Sequence, residues 1–235
     1  SRIRVHVNER NLGDYENRRK AASFARGNFL KYVDSDDIIY PHSLAVMVNA
    51  MQVNTSVALA LSHSLPELEK PYPLVLSPAE AYEREFLGRG CLACGPSAAI
   101  IRRSVFEGIG GFSSRWGVLS DIDLWYRIAA VHPVSLLPPG LVWWRRHDEQ
   151  EYSCNDASLQ YLRNSLALAV FSLDSIDCPL DPIKKSRALK RAKQHFARRI
   201  LRVAIVERNP VLAVKLAKEF NLKFWEIASG VCSYR

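Results

Sequence analysis

The chain alternates short apolar runs with polar breaks, and the spacing of those runs assigns most of its elements. Residues 3–7, IRVHV, read as a strand, and 8–14, NERNLGD, as a loop rich in turn formers. Residues 15–25, YENRRKAASFA, read as a helix that breaks at Arg26-Gly27-Asn28 before a second strand, FLKYV, over 29–33. Strand, loop, helix, strand is the βαβ pattern of a parallel sheet. In open sheets of that kind ligands bind beyond the carboxyl ends of the strands, which is where Asp34-Ser35-Asp36-Asp37 falls.

Beyond Pro41, HSLAVMVNAMQ has helical spacing and SVALALSHS reads as a buried strand. Residues 66–78 hold four prolines and read as a loop. Ser77 followed three residues later by Glu80 is a capping pattern that opens a helix through SPAEAYEREFLGRG. PSAAIIRRSVFEGIGGF is expected to form a strand and a short helix ending at Gly110-Gly111. DIDLWYRIAAV is expected to be a helix, and PVSLLPPGLVWWRRH a pair of short strands divided by Pro138-Pro139-Gly140. From about residue 156 the pattern is helical throughout, in three segments. Asp181-Pro182 and Asn209-Pro210 have the form of helix starts, and the last two helices are expected to pack as a hairpin. The expected organisation is therefore an α/β domain over 1–155 and a helical extension over 156–235.

Composition adds two constraints. With 235 residues, 24% charged and 48% hydrophobic, the chain can bury a sizeable core and is not of the disordered class. Its formal charge of +8 is uneven: residues 151–235 hold 15 Lys and Arg against 8 acids and carry +7 of it. Residues 184–202 contain nine basic residues and no acid. That stretch reads either as a solvated helix face packed on the rest of the protein or as a peripheral contact with anionic membrane. The odd number of cysteines, five, favours free thiols in a reducing compartment, and the single CxxC of Cys91 and Cys94 reads as ordinary buried thiols rather than a metal or redox pair. No apolar run approaches a membrane span, and a cytoplasmic location is the expectation.

Three features carry chemistry. Asp34 and Asp36 at a strand end can hold a hard cation while leaving positions open for phosphate oxygens; the plainer reading is a helix N-cap with solvated acids, Asp36 or Asp37 being the cap. Asp121 and Asp123 open a helix, where acids are favoured by the macrodipole, and a carboxylate there can also serve as general base. His147 follows an aromatic strand; a lone histidine of this kind is more often structural than a ligand.

Taken in order, these pieces resemble the family 2 glycosyltransferases, whose nucleotide-sugar-binding fold is called GT-A. The resemblance covers residues 3–152 and rests on Asn11-Leu12-Gly13, Arg18, GNFLKYVDSDDIIYP, GGFSSRWGVLSDIDLWYRIA and WWRRH. It implies a Rossmann-like mixed sheet flanked by helices. It also implies inverting transfer from a nucleotide-diphosphate sugar to a hydroxyl acceptor, a glycan or a lipid-linked molecule, with a divalent metal, Mn or Mg. By the same resemblance Asp36 and His147 are the metal residues and Asp121 the catalytic base. Asn11, Gly13, Arg18 and Asp34 lie near the donor. The chain departs from the family's pattern at Ser120, where Glu usually precedes the base, and at Arg19, where Asn usually follows the arginine. The family's opening strands have no counterpart ahead of residue 3, so the fold is expected to be N-terminally shortened. Rival expectations are a non-catalytic glycosyltransferase remnant and a basic nucleic-acid-binding protein that uses the helix over 184–202.

Overall fold

The structure is a computed structural model, and it describes residues 3–62, 67, 70–145, 155–220 and 222, with the side chains of 155–159 left aside. Its elements follow the apolar pattern closely. Helix α1 spans Asp14–Ser23, strand β1 Phe29–Leu30, β2 Ile38–Ile39, α2 Ser43–Val53, β3 Leu59–Ser62, β4 Leu74–Leu76 and α3 Pro78–Leu87. Then come β5 at Ala99–Arg102, α4 at Arg103–Gly108, α5 at Ser120–Val131, β6 at Val134–Leu137 and β7 at Val142–Trp143. Three helices close the chain: α6 Asn155–Asp174, α7 Pro182–Ile205 and α8 Pro210–Glu219.

The main sheet has the order β1-β5-β3-β6-β4. Its central strand β3 is buried at every position, which a continuous apolar run with a helix on each face requires. The strand's period of two divides that run: Leu59 and Leu61 enter one core cluster and Ala60 the other. On the first side lie Tyr82 of α3 and Leu124, Trp125 and Ile128 of α5. On the second, Met47, Ala50 and Met51 of α2 pack with Val57, Ile100 and Leu137. The capping box read at Ser77 forms: its Oγ accepts from the Glu80 N–H, and the Ser77 N–H donates to Glu80 Oε2 at 2.9 Å.

Helix α6 continues the first cluster with Leu168, Ala169 and Leu173, and Leu180 and Ala188 join it from the segment that begins α7. A separate cluster of Leu162, Leu166, Phe196, Ile200, Val203, Ala213 and Leu216 joins α6 to the α7–α8 hairpin. Both helices of that hairpin start as their sequences predict, with Asp181 Oδ1 accepting from Lys184 N–H at 2.9 Å and Asn209 Oδ1 from Leu212 N–H at 3.1 Å.

Three expectations need correction. Residues 3–7 form no strand among the described residues, and Ile3, Val5 and Val7 are exposed. An alternating pattern becomes a strand only where a partner takes its hydrogen bonds. The loop expected over 66–78 contains β4, which pairs Leu74 with Leu136 and Leu76 with Val134, antiparallel. Its apolar alternation is only three residues long and lies between prolines. Finally, the parallel pairing read from the βαβ pattern does not hold for β1: the sheet is mixed, as the resemblance implies, with β3–β6 parallel and β1–β5, β5–β3 and β4–β6 antiparallel. β7, the second of the two short strands expected over 133–147, lies outside this sheet. It joins β2 in a separate two-stranded sheet that carries the chain after the acidic turn, with Ile38 opposite Trp143.

Candidate active site

The acidic segment leaves the sheet as a tight turn. The Asp37 N–H donates to the Asp34 carbonyl at 3.0 Å, and the chain then enters β2 rather than a helix, so neither Asp36 nor Asp37 caps one. The Asp34 N–H donates to Ser97 Oγ at 2.9 Å, tying this turn to the short helical turn Pro96–Ala98 ahead of β5. Asp37 sits beside Asp34 and Asp36 and is partly desolvated. Burial first, and then the two neighbouring carboxylates, push its carboxyl above the ordinary range, opposed by a hydrogen bond to Ser97 and one from the Arg145 N–H.

Arg18 meets this turn from α1. Its Nη2 donates to Asp34 Oδ1 at 2.6 Å, and Nη1 pairs with Asp14 one helical turn away. The Tyr32 hydroxyl donates to the Arg18 carbonyl at 3.0 Å, and the guanidinium lies 5.3 Å from the centre of the Tyr15 ring. Burial opposes the arginine's charge, but Asp34 and Asp14 more than offset it and hold its pKa above the usual value.

The start of α1 is set by the motif ahead of it. Asn11 Oδ1 accepts from the Gly13 N–H at 2.8 Å, an Asx-type turn, and Gly13 takes φ +75° as the residue before the helix. A side chain there would be strained by the backbone alone. This turn fixes where α1 begins and therefore how Arg18, just over one turn along it, faces Asp34.

Asp121 and Asp123, adjacent in the sequence pattern, have different environments. Asp123 Oδ2 accepts from Arg127 Nε at 2.9 Å, while Arg127 donates to the Ile109 carbonyl at 3.0 Å and the Gly111 carbonyl at 2.7 Å. That pair clamps the Gly-Gly loop onto α5. Asp121 is also buried, 9% exposed, and accepts from the Ile122 N–H at 2.7 Å, but no ion pair of its own occurs among the described residues. Burial is the main cause that pushes its carboxyl up to about 7; Arg18 opposes the shift and Asp14 adds to it. Tyr15 is held above its usual range, chiefly by burial and then by the Asp121 charge. Asp121, Tyr15, Arg18 and Asp14 therefore share one electrostatic neighbourhood.

Ser120, which stands where the resemblance leads one to expect Glu, is fully buried and donates from Oγ to the Gly117 carbonyl at 2.7 Å. Gly117 has φ +54°, and a Cβ there would lie 3.1 Å from the Gln160 side chain, so this turn is shaped around a small residue on each side.

Of the residues singled out from sequence, Arg18, Asp34 and Asp121 are thus brought together, with Asn11 and Gly13 at the entry to the same helix. Asp36 is half-buried in the same turn as Asp34. His147 lies outside the described residues. No group of three or more His, Cys, Asp or Glu side chains able to hold a metal is gathered among the described residues. The crowded carboxylates of 34–37 are the kind of oxygen donor set a hard cation takes, and Asp37 is raised first by burial and to a smaller degree by Asp34 and Asp36.

Sequence reading missed Ser97, Tyr15 and Lys31. Lys31 is partly buried and contacts the carbonyls of Tyr32 and Ser97. Desolvation lowers its pKa to about 8, against the opposing charges of Cys94, Asp34 and Asp37. Nothing in a strand's sequence distinguishes such a lysine from a solvated one, and Ser97 belongs to a segment far along the chain. Cys91 and Cys94 are free thiols, as expected, and burial holds both in the protonated form.

Comparison with known proteins places this geometry in a class. Residues 1–110 match the family model described as Glycosyl transferase family 2. Among solved structures, the fold is similar to S. aureus TarS 1–349, with a TM-score of 0.52 and 14% identity over 92% of this chain and 56% of that one. It is similar also to TarS 1–349 in complex with UDP-GlcNAc, with a TM-score of 0.56 and 14% identity over 91% of this chain and 58% of that one. A third, S. aureus TarS 1–349 in complex with UDP, matches with a TM-score of 0.52 and 14% identity over 90% of this chain and 56% of that chain. The chain thus spans little more than half the length of these structures, and at this identity they define the fold, the GT-A type expected from sequence. No curated protein matches significantly.

Proposed function

We propose that this chain transfers a sugar from a nucleotide-diphosphate sugar to a hydroxyl acceptor, with inversion at the anomeric carbon and Asp121 as the general base. The observation that carries the reading is a buried carboxylate poised near neutrality, in contact electrostatically with the arginine that binds the acidic turn. A base with a pKa near 7 is ionised for part of the population at neutral pH and still accepts a proton with useful driving force.

In this reading Arg18 and Asp34 orient the donor, Asn11 and Gly13 set the helix that carries Arg18, and Asp121 takes the acceptor's proton from the face opposite the leaving group. One base with no carboxylate nucleophile is sufficient for inversion. A divalent ion, Mn or Mg, fits the oxygen donors of the turn: Asp36 would hold it, with His147 from outside the described residues. Once bound, it supplies charge neutralisation for the departing nucleoside diphosphate. The TarS complex with UDP-GlcNAc supports a UDP-sugar as the first donor to try. We place the transferase region over 1–155 and the helical extension over 156–235, with a glycan or lipid-linked acceptor and a cytoplasmic setting. No described helix is long and apolar enough to cross a membrane.

The test is sugar transfer from UDP-GlcNAc to a mixed set of glycan and lipid-linked hydroxyl acceptors. Wild-type turnover with none in Asp121→Asn supports the proposal, and equal turnover by the two proteins removes it.

A further inference from the structure

A cavity of about 500 Å³ lies on the far side of α5, between the end of α3 and the helices α6 and α7. Its lining is unusual in charge. Arg89, Arg191, His195 and Arg198 all border it, and Glu85 is the one acid among the described lining residues. That carboxylate is consumed internally: Oε2 accepts from the Cys91 and Leu92 N–H groups at 2.7 and 2.8 Å, and Oε1 from the Tyr126 hydroxyl at 2.9 Å. Arg191 donates to the Leu87 and Gly88 carbonyls, where it closes the end of α3, and meets no carboxylate among the described residues. Arg89 and Arg198 have no hydrogen-bond or ion-pair partner among the described residues.

Three other basic residues of α7 are anchored. Lys184 pairs with Glu83, Lys185 with Asp174 at 3.0 Å, and Arg199 lies over Tyr161 at 5.6 Å. Arg191 and Arg198 of α7 and Arg89, just past the end of α3, thus converge on one cavity from two segments of the chain. The effect is felt by His195, whose imidazole is held below its usual pKa by partial desolvation and then by Arg199, Arg198 and Arg191. Like charges gathered around a concavity are stabilised by an anion, and planar guanidinium groups match phosphate oxygens in pairs. The wall opposite the arginines is apolar, formed by Leu166, Ala169 and Phe196, and suits the carbon portion of the same molecule.

We propose that this cavity is a binding site for a phosphate-bearing ligand, with Arg89 and Arg198 gripping the phosphate and Arg191 and His195 lining the pocket beside it. The site stands apart from the proposed donor site and does not depend on the transferase reading. The phosphate can belong to a soluble phosphoester or to a lipid headgroup, and the experiment separates the two.

Inorganic pyrophosphate is titrated calorimetrically into the whole chain at constant ionic strength, and the same protein is sedimented with phosphatidylglycerol and with phosphatidylcholine vesicles. The expected result is pyrophosphate binding that weakens by about tenfold or more in Arg89→Gln/Arg198→Gln. The double variant should melt at the wild-type temperature, because neither side chain holds the fold together. Arg89→Lys/Arg198→Lys, which keeps the charge, should lose less and serves if the first variant misfolds. Binding to phosphatidylglycerol alone, lost with the arginines, identifies a headgroup; pyrophosphate binding without vesicle binding identifies a soluble ligand. Absence of both pyrophosphate and vesicle binding, or binding indifferent to the double glutamine variant, overturns the proposal.

Discussion

Arg18 donates to Asp34 at 2.6 Å while its other terminal nitrogen pairs with Asp14, so that a single guanidinium joins α1 to the turn that follows β1. The Arg18 side chain is 15% exposed and that of Asp34 29%. Both are shielded enough that removing one partner leaves the other charge poorly solvated.

Arg18→Ala should therefore destabilise the protein by about 1–3 kcal/mol, more than a surface ion pair is worth. Urea unfolding measures it, and Arg18→Lys should recover part of the loss. A change within error would mean that water already serves Asp34 in the native protein.

Asp121 gives a prediction with a sign. Its carboxyl is pushed up to about 7 in the folded protein and returns to the ordinary carboxylate range when unfolded, so the folded state binds the proton more tightly. The resulting stabilisation is complete below about pH 4 and is lost as pH rises through about 7, by roughly 1–4 kcal/mol. Asp121→Asn should flatten the pH dependence of stability over that window and leave the protein no less stable than wild type at pH 8. If transfer activity is present, its acid limb should fall below about pH 7, and the same variant should lose about 100- to 10,000-fold in rate.

The clamp on the Gly-Gly loop is structural. Arg127→Ala removes its bonds to Asp123, Ile109 and Gly111 and leaves Asp123 buried without a cation, which should cost about 2–4 kcal/mol. Proteolysis near residues 109–112 should accelerate with it. A stable variant with unchanged cleavage would show that the loop is held by Phe112 packing alone.

Gly111 has φ +67°, and a Cβ there would lie 2.9 Å from the Phe106 ring. Gly111→Ala should cost about 1–3 kcal/mol, from the backbone conformation and the displaced ring together. Gly110→Ala shares the positive φ but meets nothing within 4 Å, so it should cost less. Thermal unfolding of the two variants side by side separates the terms.

What the sequence disclosed depended on how local the determinants were. Helices with their caps were legible because Ser77 and Glu80, Asp181-Pro182 and Asn209-Pro210 carry their own start signals within a turn. Strand β3 was legible as an unbroken apolar run. Strand β4 was not, since three residues between prolines become a strand only through the antiparallel partner β6. The reverse error occurred at 3–7, where the local pattern is good but no strand forms among the described residues. Pairing direction is likewise set by the whole sheet rather than by any segment of it.

The site followed the same division. Asp34, Asp36, Asp121 and Arg18 stand in motifs with fixed spacing, whereas Ser97 and Lys31 act on the acidic turn through contacts made by the fold. The separate surroundings of Asp121 and Asp123 were hidden for the same reason. Their spacing on α5 shows that both begin a helix, but only packing decides that Arg127 reaches one and that the other is desolvated with no ion-pair partner among the described residues.

The most direct test of the account is calorimetric titration of UDP into the chain with and without manganese, in parallel with Asp36→Ala. The account predicts binding that requires the metal and is lost in Asp36→Ala, while the variant remains folded. UDP binding indifferent to both, or no binding by the folded wild-type protein, would contradict it.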